Sequence, residues 1–538
     1  MILLAAFILF FAAGCGGDVF QTLQEPAATR ENGGDGAPVS EYLCVSTTGN
    51  DVTGDGTEAL PFATVNRAME VAEETGADEI RVSVGDYEVG ATFGIQLFDG
   101  LRLLGGYNPA DWTRYPYQTK ADRDAHTTTL SYTGSFSGLS GHPSRVIDSG
   151  DAEISSSTII EGFTLKGKAT GDYVSAIYCS EGASPVIRYN TIYGGGSSSV
   201  VTSYGIYTTA LASPAITGNY ISGGDGVVTQ GIYSSYSSPD ISDNTIYGGD
   251  ASTNSSYAVR SVGDSSPVIR DNEIDGGNGY LYTYGIRNES SSPDIRGNSI
   301  YGGDSGTQHS NGIYNTGTSS SPKIYRNVID GGTGKLTYGI NNYMANAPLI
   351  YNNAIHGGAA STVRSFAVFN VGTGNNPLIY NNTIRLGTIA DSSNAQSGSF
   401  GIFDNDNVTK PVIENNIIFA GNEAKSYGMY NASSTASPAS FDNNDIFACE
   451  TLYAIQQTLP TITKYTSIDD VNALAYADNN VSADPVFADQ PGGDWRLTAS
   501  TPSSVYDGGA DLSAVFTADM DDVARTWWSM GAYEWVSP

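Results

Sequence analysis

Between residues 185 and 446 the apolar positions of this chain recur at fixed offsets from a repeated proline. The prolines are Pro185, Pro214, Pro239, Pro267, Pro293, Pro322, Pro348, Pro377, Pro411 and Pro438. Their mean spacing is (438 − 185)/9, about 28 residues, a period that marks a solenoid. Two residues after each of the first nine prolines stands isoleucine, from Ile187 to Ile413, and seven after it stands isoleucine again, from Ile192 to Ile418. Between them, at proline plus five, runs a column of asparagine from Asn190 to Asn416; the tenth copy slips by one residue to Asn444 and Ile446. A short segment of aromatic, Gly or Ala, then an apolar residue repeats with the same period, at Ile177, Ile206, Ile232, Val259 and onward to Met429 and Ile455.

Runs this short, β-branched and bounded by Gly, Ser and Asn predict strands, since helices need longer stretches with apolar spacing of three or four. The repeat is therefore all-β. Coils of about 28 residues whose strands pair with their counterparts one turn later make a parallel β-helix rising ~4.8 Å per coil. Inward isoleucines would stack into ribs, each burying about 2 kcal/mol of side chain. Inward asparagines would stack as an amide ladder, satisfying polar groups the interior cannot leave unpaired. This places repeats over 145–457, about 11 to 13 coils, after an N-terminal cap with first coils at 41–144 and before a C-terminal capping segment at 458–538.

Function has to lie on outward positions, because inward ones are committed to packing. The residue after each apolar member of the second segment reads Tyr178, Tyr207, Tyr233, Arg260, Arg287, Tyr314, Asn341, Phe369, Phe403 and Tyr430. With Gly or Ala before them, the rings are expected to overhang a shallow strip and to offer a carbohydrate-binding platform for a chain polymer; self-stacking of an aromatic ladder is the structural alternative. Arg260 and Arg287 interrupt the column on consecutive coils, where like charges repel. A uronate or sulfate between them is one expectation, and neutralisation by Glu289 is the other. A second polar column, from Cys179 and Thr208 through Asn288, Asn315, Asn342 and Asn370 to Asp404 and Asn431, predicts a further ladder in which Asp404 accepts hydrogen bonds. After the Gly-Gly pair comes a row of Asp225, Asp250, Asn278 and Asp304, whose carboxylates could hold Ca²⁺ or could simply be solvated loop charge.

The I-x-x-N-x-I block with its following G-I-Y strand resembles the right-handed parallel β-helix repeat of the pectin lyase-like superfamily. Residues 44–72 look like the N-terminal segment of bacterial β-helix surface proteins, in which Pro61, Phe62, Thr64, Val65, Ala68 and Met69 would form a short cap helix. The segments DPVFAD (484–489), GDWRL (493–497), DGG (507–509) and MGAYEW (530–535) are similar to the choice-of-anchor Q pattern of surface proteins with this architecture. Trp495, Trp527, Trp528 and Trp535 are then expected to cover the last coil. At the other end, the apolar stretch 2–13 running into Ala12-Ala13-Gly14-Cys15 resembles a bacterial lipoprotein signal at 1–15, with Cys15 as the lipidated residue. Residues 16–40 would be a disordered tether, and the chain an exported outer-membrane lipoprotein held to the membrane by the lipid alone.

Charge narrows the partners. With 25 basic and 57 acidic residues the net charge is −32, which argues against nucleic acid, whose phosphates need the opposite sign. Cys44, Cys179 and Cys449 lie far apart along the chain, in no C-x-x-C pairing, and are expected to stay unpaired. The enzyme alternative is a polysaccharide lyase, needing a base beside a carboxylate cluster, or a glycoside hydrolase, needing paired carboxylates. Asp469-Asp470 and Asp521-Asp522 lie beyond the repeats, and none of His126, His142, His309 or His356 sits in a Gly-His-Gly setting. The best catalytic constellation is Arg260, Arg287 and Glu289. The sequence thus points first to a non-catalytic module for an extended, acidic polysaccharide without cofactor, next to an enzyme of this fold, and third to a structural spacer; it leaves the oligomeric state open.

Overall fold

The computed structural model describes residues 42–536 apart from 318–319, 345–346, 394–396, 406–408, 422, 424, 435–436 and 458–460. Cys15, the lipoprotein signal and the tether lie outside the described residues. The chain winds into a parallel β-solenoid of about 13 turns. One face is a 15-stranded parallel sheet running from Leu43–Val45 and Glu79–Ser83 through Val186–Arg188 to Ala477–Asp478. Register follows the repeat, with Ile187 opposite Ile216, Ile192 opposite Ile221 and Ile206 opposite Ile232. The ribs are buried throughout.

Asparagine explains how a polar column survives inside. From Asn190 to Asn444 each side-chain Nδ2 donates to Oδ1 of the asparagine one coil on, at 2.9–3.2 Å, and the ladder continues into Asn480. Each Oδ1 also accepts the backbone N–H of the preceding asparagine, as in Asn190 to Asn219 at 2.9 Å, so donors and acceptors are matched along the core. The second ladder forms as well: Asn288, Asn315, Asn342 and Asn370 each donate to the next residue, ending on the buried Asp404, at 2.8–2.9 Å. Beside the first ladder, at proline plus four, the backbone is left-handed in every coil, from Tyr189 (φ 52°) and Asp243 (φ 57°) to Asn352 (φ 52°) and Asn415 (φ 60°). That corner turns the chain between two faces, and asparagine, aspartate and glycine adopt it most readily.

Both ends are closed. Helix α1 (Val65–Thr75) is capped by Thr64, whose side chain accepts from Arg67 N, and it buries Val65, Ala68, Met69 and Ala72 over the first coils. At the far end, Ile462–Tyr465 pairs antiparallel with Thr451–Gln456, and α3 (Ile468–Asn472) buries Val471. Register there corrects one reading: Met429 lies opposite Tyr453, so Tyr453 fills the last rib and Ile455 falls opposite Asn431.

The tryptophans do not cover the last coil. Residues 495–535 run back along the flank of the solenoid, where Trp495, Met530, Ala532 and Tyr533 pack on Ala354, Ile417 and Phe419. The reason lies in the corner column, which changes to asparagine in the last four repeats. Asn352, Asn381, Asn415 and Asn443 donate from Nδ2 to the carbonyls of Ala518, Ser529, Ala510 and Gly508, all at 2.8 Å. Buried Arg525 locks the segment, reaching Asn352 Oδ1 at 2.6 Å and Glu534 at 3.4 Å.

Candidate functional site

The aromatic column expected to bind sugar is largely taken up by its own packing, with Tyr233, Tyr314 and Phe369 half-buried and the other rings buried. Tyr178, Tyr207, Phe403 and Tyr430 are only 4, 7, 5 and 6 % exposed. A second ring column three residues earlier shares the same face, and the two interlock. Tyr204 stacks on Tyr207 with centroids 5.0 Å apart, Tyr207 on Tyr233 at 5.0 Å, and Phe403 on Tyr430 at 4.8 Å. Phe366, Phe369 and Phe400 join the same cluster, and Tyr314 packs edge-on against Tyr284. Sequence reading missed these neighbours because it took the outer face to be lined by the intervening Gly and Ala alone.

Arg260 and Arg287 do not await an anion. Glu289 Oε1 sits 2.7 Å from Arg260 Nε and 2.9 Å from Arg287 Nε, while the guanidiniums lie over Tyr233, Tyr257, Tyr284 and Tyr314. The three groups proposed as a catalytic set form an ion-pair bridge embedded in tyrosines.

An open groove lies instead on the face after the left-handed corner. There the outward residue at proline plus eight reads Tyr193, Ser222, Tyr247, Asp275, Tyr301, Asp330, His356 and Arg385. Two walls bound it. At one end the segment carrying α2 (Lys120–Ala125) leans over, with Arg123 Nε donating to Thr191 Oγ1 at 3.2 Å and Lys120 Nζ 5.1 Å from the Tyr220 ring. At the other end the C-terminal segment covers Ala354, Ile417 and Phe419. Between them run two clefts of about 940 and 570 Å³, joined through Asp225 and Asp250. Tyr193, Tyr220 and Tyr247 line the first and stay half-buried, with ring area facing the cleft.

Hydrogen bonds fix the acidic row along this groove. Asp250 accepts from Tyr247 Oη and Asn278 Nδ2, both at 2.7 Å, and Asp304 accepts from Tyr301 Oη and Thr333 Oγ1, both at 2.6 Å. Asp330 meets His356 Nδ1 at 2.7 Å. Partial burial and then the neighbouring Asp250 push the Asp225 carboxyl above its ordinary range; burial, then Asp304 and Glu273, do the same for Asp275. Among the described residues no three His, Cys, Asp or Glu converge where a metal could sit. The Ca²⁺ candidates Asp225, Asp250 and Asp304 are strung out along the axis, the first two on adjacent coils and Asp304 two coils beyond Asp250. Cys44, Cys179 and Cys449 are free thiols.

Fold and groove together define a parallel β-solenoid with a lateral, acidic, tyrosine-lined cleft. Residues 47–258, less than half of the chain, match the model of a family described as "Protein of unknown function (DUF1565)". No curated protein matches the chain. Among solved structures, the mannuronan C-5 epimerase AlgE6 A-module of Azotobacter vinelandii is 16% identical over 78% of this chain and 94% of that one, with a TM-score of 0.41. XylC in complex with xylose is 11% identical over 92% and 98%, with a TM-score of 0.43. Pectate lyase Pel9A is 12% identical over 92% and 96%, with a TM-score of 0.35. At such identities and scores these likenesses carry no residue role or activity over to this chain.

Proposed function

We propose that the chain is a surface-displayed module that holds an extended polysaccharide along the groove. The observation that carries this reading is the elongated cleft, in which Tyr193, Tyr220 and Tyr247 present ring area on successive coils beside hydrogen-bonding carboxylates. Sugar rings stack their C–H faces on such rings, and oriented polar groups fix the hydroxyls. Titration with a panel of oligosaccharides tests it. Tyr193→Ala with Tyr247→Ala is expected to weaken binding at least tenfold while Tyr207→Ala, in the packed column, leaves affinity unchanged; the reverse pattern would move the site back to the aromatic face.

A glycoside hydrolase is the second reading, favoured by one feature. Asp225 and Asp250 are register partners on adjacent coils in unlike surroundings, one carboxyl pushed up and the other held as an acceptor. Unlike carboxylates side by side are the arrangement an acid and its partner need. New reducing ends released from any bound oligosaccharide would establish it. Display at the outer membrane through a lipidated Cys15 belongs to the same proposal. Cys15→Ser is expected to move the protein from the detergent to the aqueous phase, because acyl chains supply the membrane affinity; unchanged partitioning would remove the anchor.

A further inference from the structure

The charge of the groove says which glycans suit it. Asp86, Asp124, Asp225 and Asp250 line the larger cleft with one lysine, Lys166, and Asp304 extends the row into the smaller one. Lys120 pairs with Asp124 at 2.6 Å, but among the described residues no ion pair engages Asp225, Asp250 or Asp304. Register runs Asp225, Asp250, Asn278, Asp304 on successive coils, so Asp225 and Asp250 lie one coil rise apart, ~4.8 Å, and Asp304 follows two coils beyond Asp250, across Asn278. Stacked carboxylates at that spacing repel unless cations lie along them. A metal ion calls for oxygens converging on one point, and these are spread along a line. A polymer bearing one ammonium group per sugar has both the sign and the linear spacing. Ring surface accompanies the row: Tyr280 is 51 % exposed beside Asn278 in the smaller cleft, and Tyr247 donates its hydroxyl to Asp250 in the larger.

Resting on the reading of the groove as a glycan site, we infer that its ligand is an amino-sugar polymer with free amino groups. The uronate expected from Arg260 and Arg287 is of the opposite sign. Ammonium groups sit against Asp225, Asp250 and Asp304, with the pyranose faces on Tyr193, Tyr220, Tyr247 and Tyr280.

Calorimetric titration with glucosamine hexamer, its fully N-acetylated counterpart, cellohexaose and galacturonate hexamer, all in EDTA, tests the inference. The glucosamine hexamer is expected to bind at least tenfold more tightly than the other three, and to weaken as salt rises. Asp225→Asn with Asp250→Asn is expected to abolish that preference without changing the melting temperature, since both side chains are exposed. Equal affinity for acetylated and free amino sugars, or preference for galacturonate, would overturn the charge argument and leave the groove a glycan site. Binding that appears only when Ca²⁺ replaces EDTA would assign the carboxylates to a metal and overturn it too. Failure of every sugar to bind in a manner sensitive to Tyr247→Ala would remove the groove reading itself.

Discussion

Asp445 is a carboxyl in a place where a charge is costly. It stands fully buried on the strand Asp445–Phe447, where the solenoid meets residues 481–484. Its Oδ1 accepts the Ala483 N–H at 3.0 Å, and its Oδ2 meets no hydrogen-bond partner. Burial, with Asp484 adding repulsion, pushes the carboxyl from 3.8 to about 8 against the opposing Ala483 N–H. The folded protein therefore keeps Asp445 neutral where the unfolded chain ionises it. As pH rises from 3.8 folding must take up a proton, so stability falls through that window and levels off above about 8. Each pH unit is worth 1.36 kcal/mol, giving about 2 kcal/mol at pH 5, about 5 kcal/mol at pH 8 and a ceiling of about 6 kcal/mol above it. Asp445→Asn removes the ionisation at nearly constant volume, and its stabilising effect is expected to grow between pH 5 and pH 8. Because a solenoid can open locally, the readout is hydrogen exchange at the Val481 and Ala483 amides, with urea unfolding for the whole. A variant that differs from wild type by the same amount at pH 5, 6.5 and 8 would refute a neutral buried carboxyl.

Other perturbations follow from the same contacts. Ile295→Asp puts an unpaired charge into a rib and is expected to lower the melting temperature sharply, by several kcal/mol of stability, whereas Tyr301→Ser on the groove face should cost far less; equal losses would contradict the inside-outside assignment. Arg525→Ala leaves Glu534 buried without its cation and frees Asn352 Oδ1, so residues 495–535 should become protease-sensitive at a cost of about 3–5 kcal/mol, and an intact digestion pattern would show that the corner asparagines suffice. Arg260→Gln with Arg287→Gln strips both cations from Glu289 and should lower the melting temperature while leaving oligosaccharide binding unchanged; lost binding would restore the arginines as a ligand site.

Much of the fold was legible because a repeat writes each contact many times. Isoleucine at proline plus two and plus seven determines two ribs, and asparagine at plus five determines a ladder, since an inward amide has a partner only if its neighbour one coil on is also an amide. The cap helix was expected only from the resemblance of residues 44–72 to the N-terminal segment of β-helix surface proteins, and α1 forms there, N-capped by Thr64. The same columns held signals that were not read. Left-handed corners at proline plus four become asparagine in the last four coils, and tyrosine or aspartate recurs at proline plus eight. What those residues face depends on segments distant in sequence. Whether a ring is a platform or packing turns on the second ring column beside it, which buries Tyr207 and Phe403. Whether Arg260 and Arg287 are free turns on where Glu289 points. The groove exists because the α2 segment and residues 495–535 cover the two ends of one face and leave its middle coils open. Stacking within the solenoid is a nearest-neighbour property that a periodic sequence determines alone; the course of non-repeating segments over its flank is set by long-range packing, and only the tertiary structure decides it.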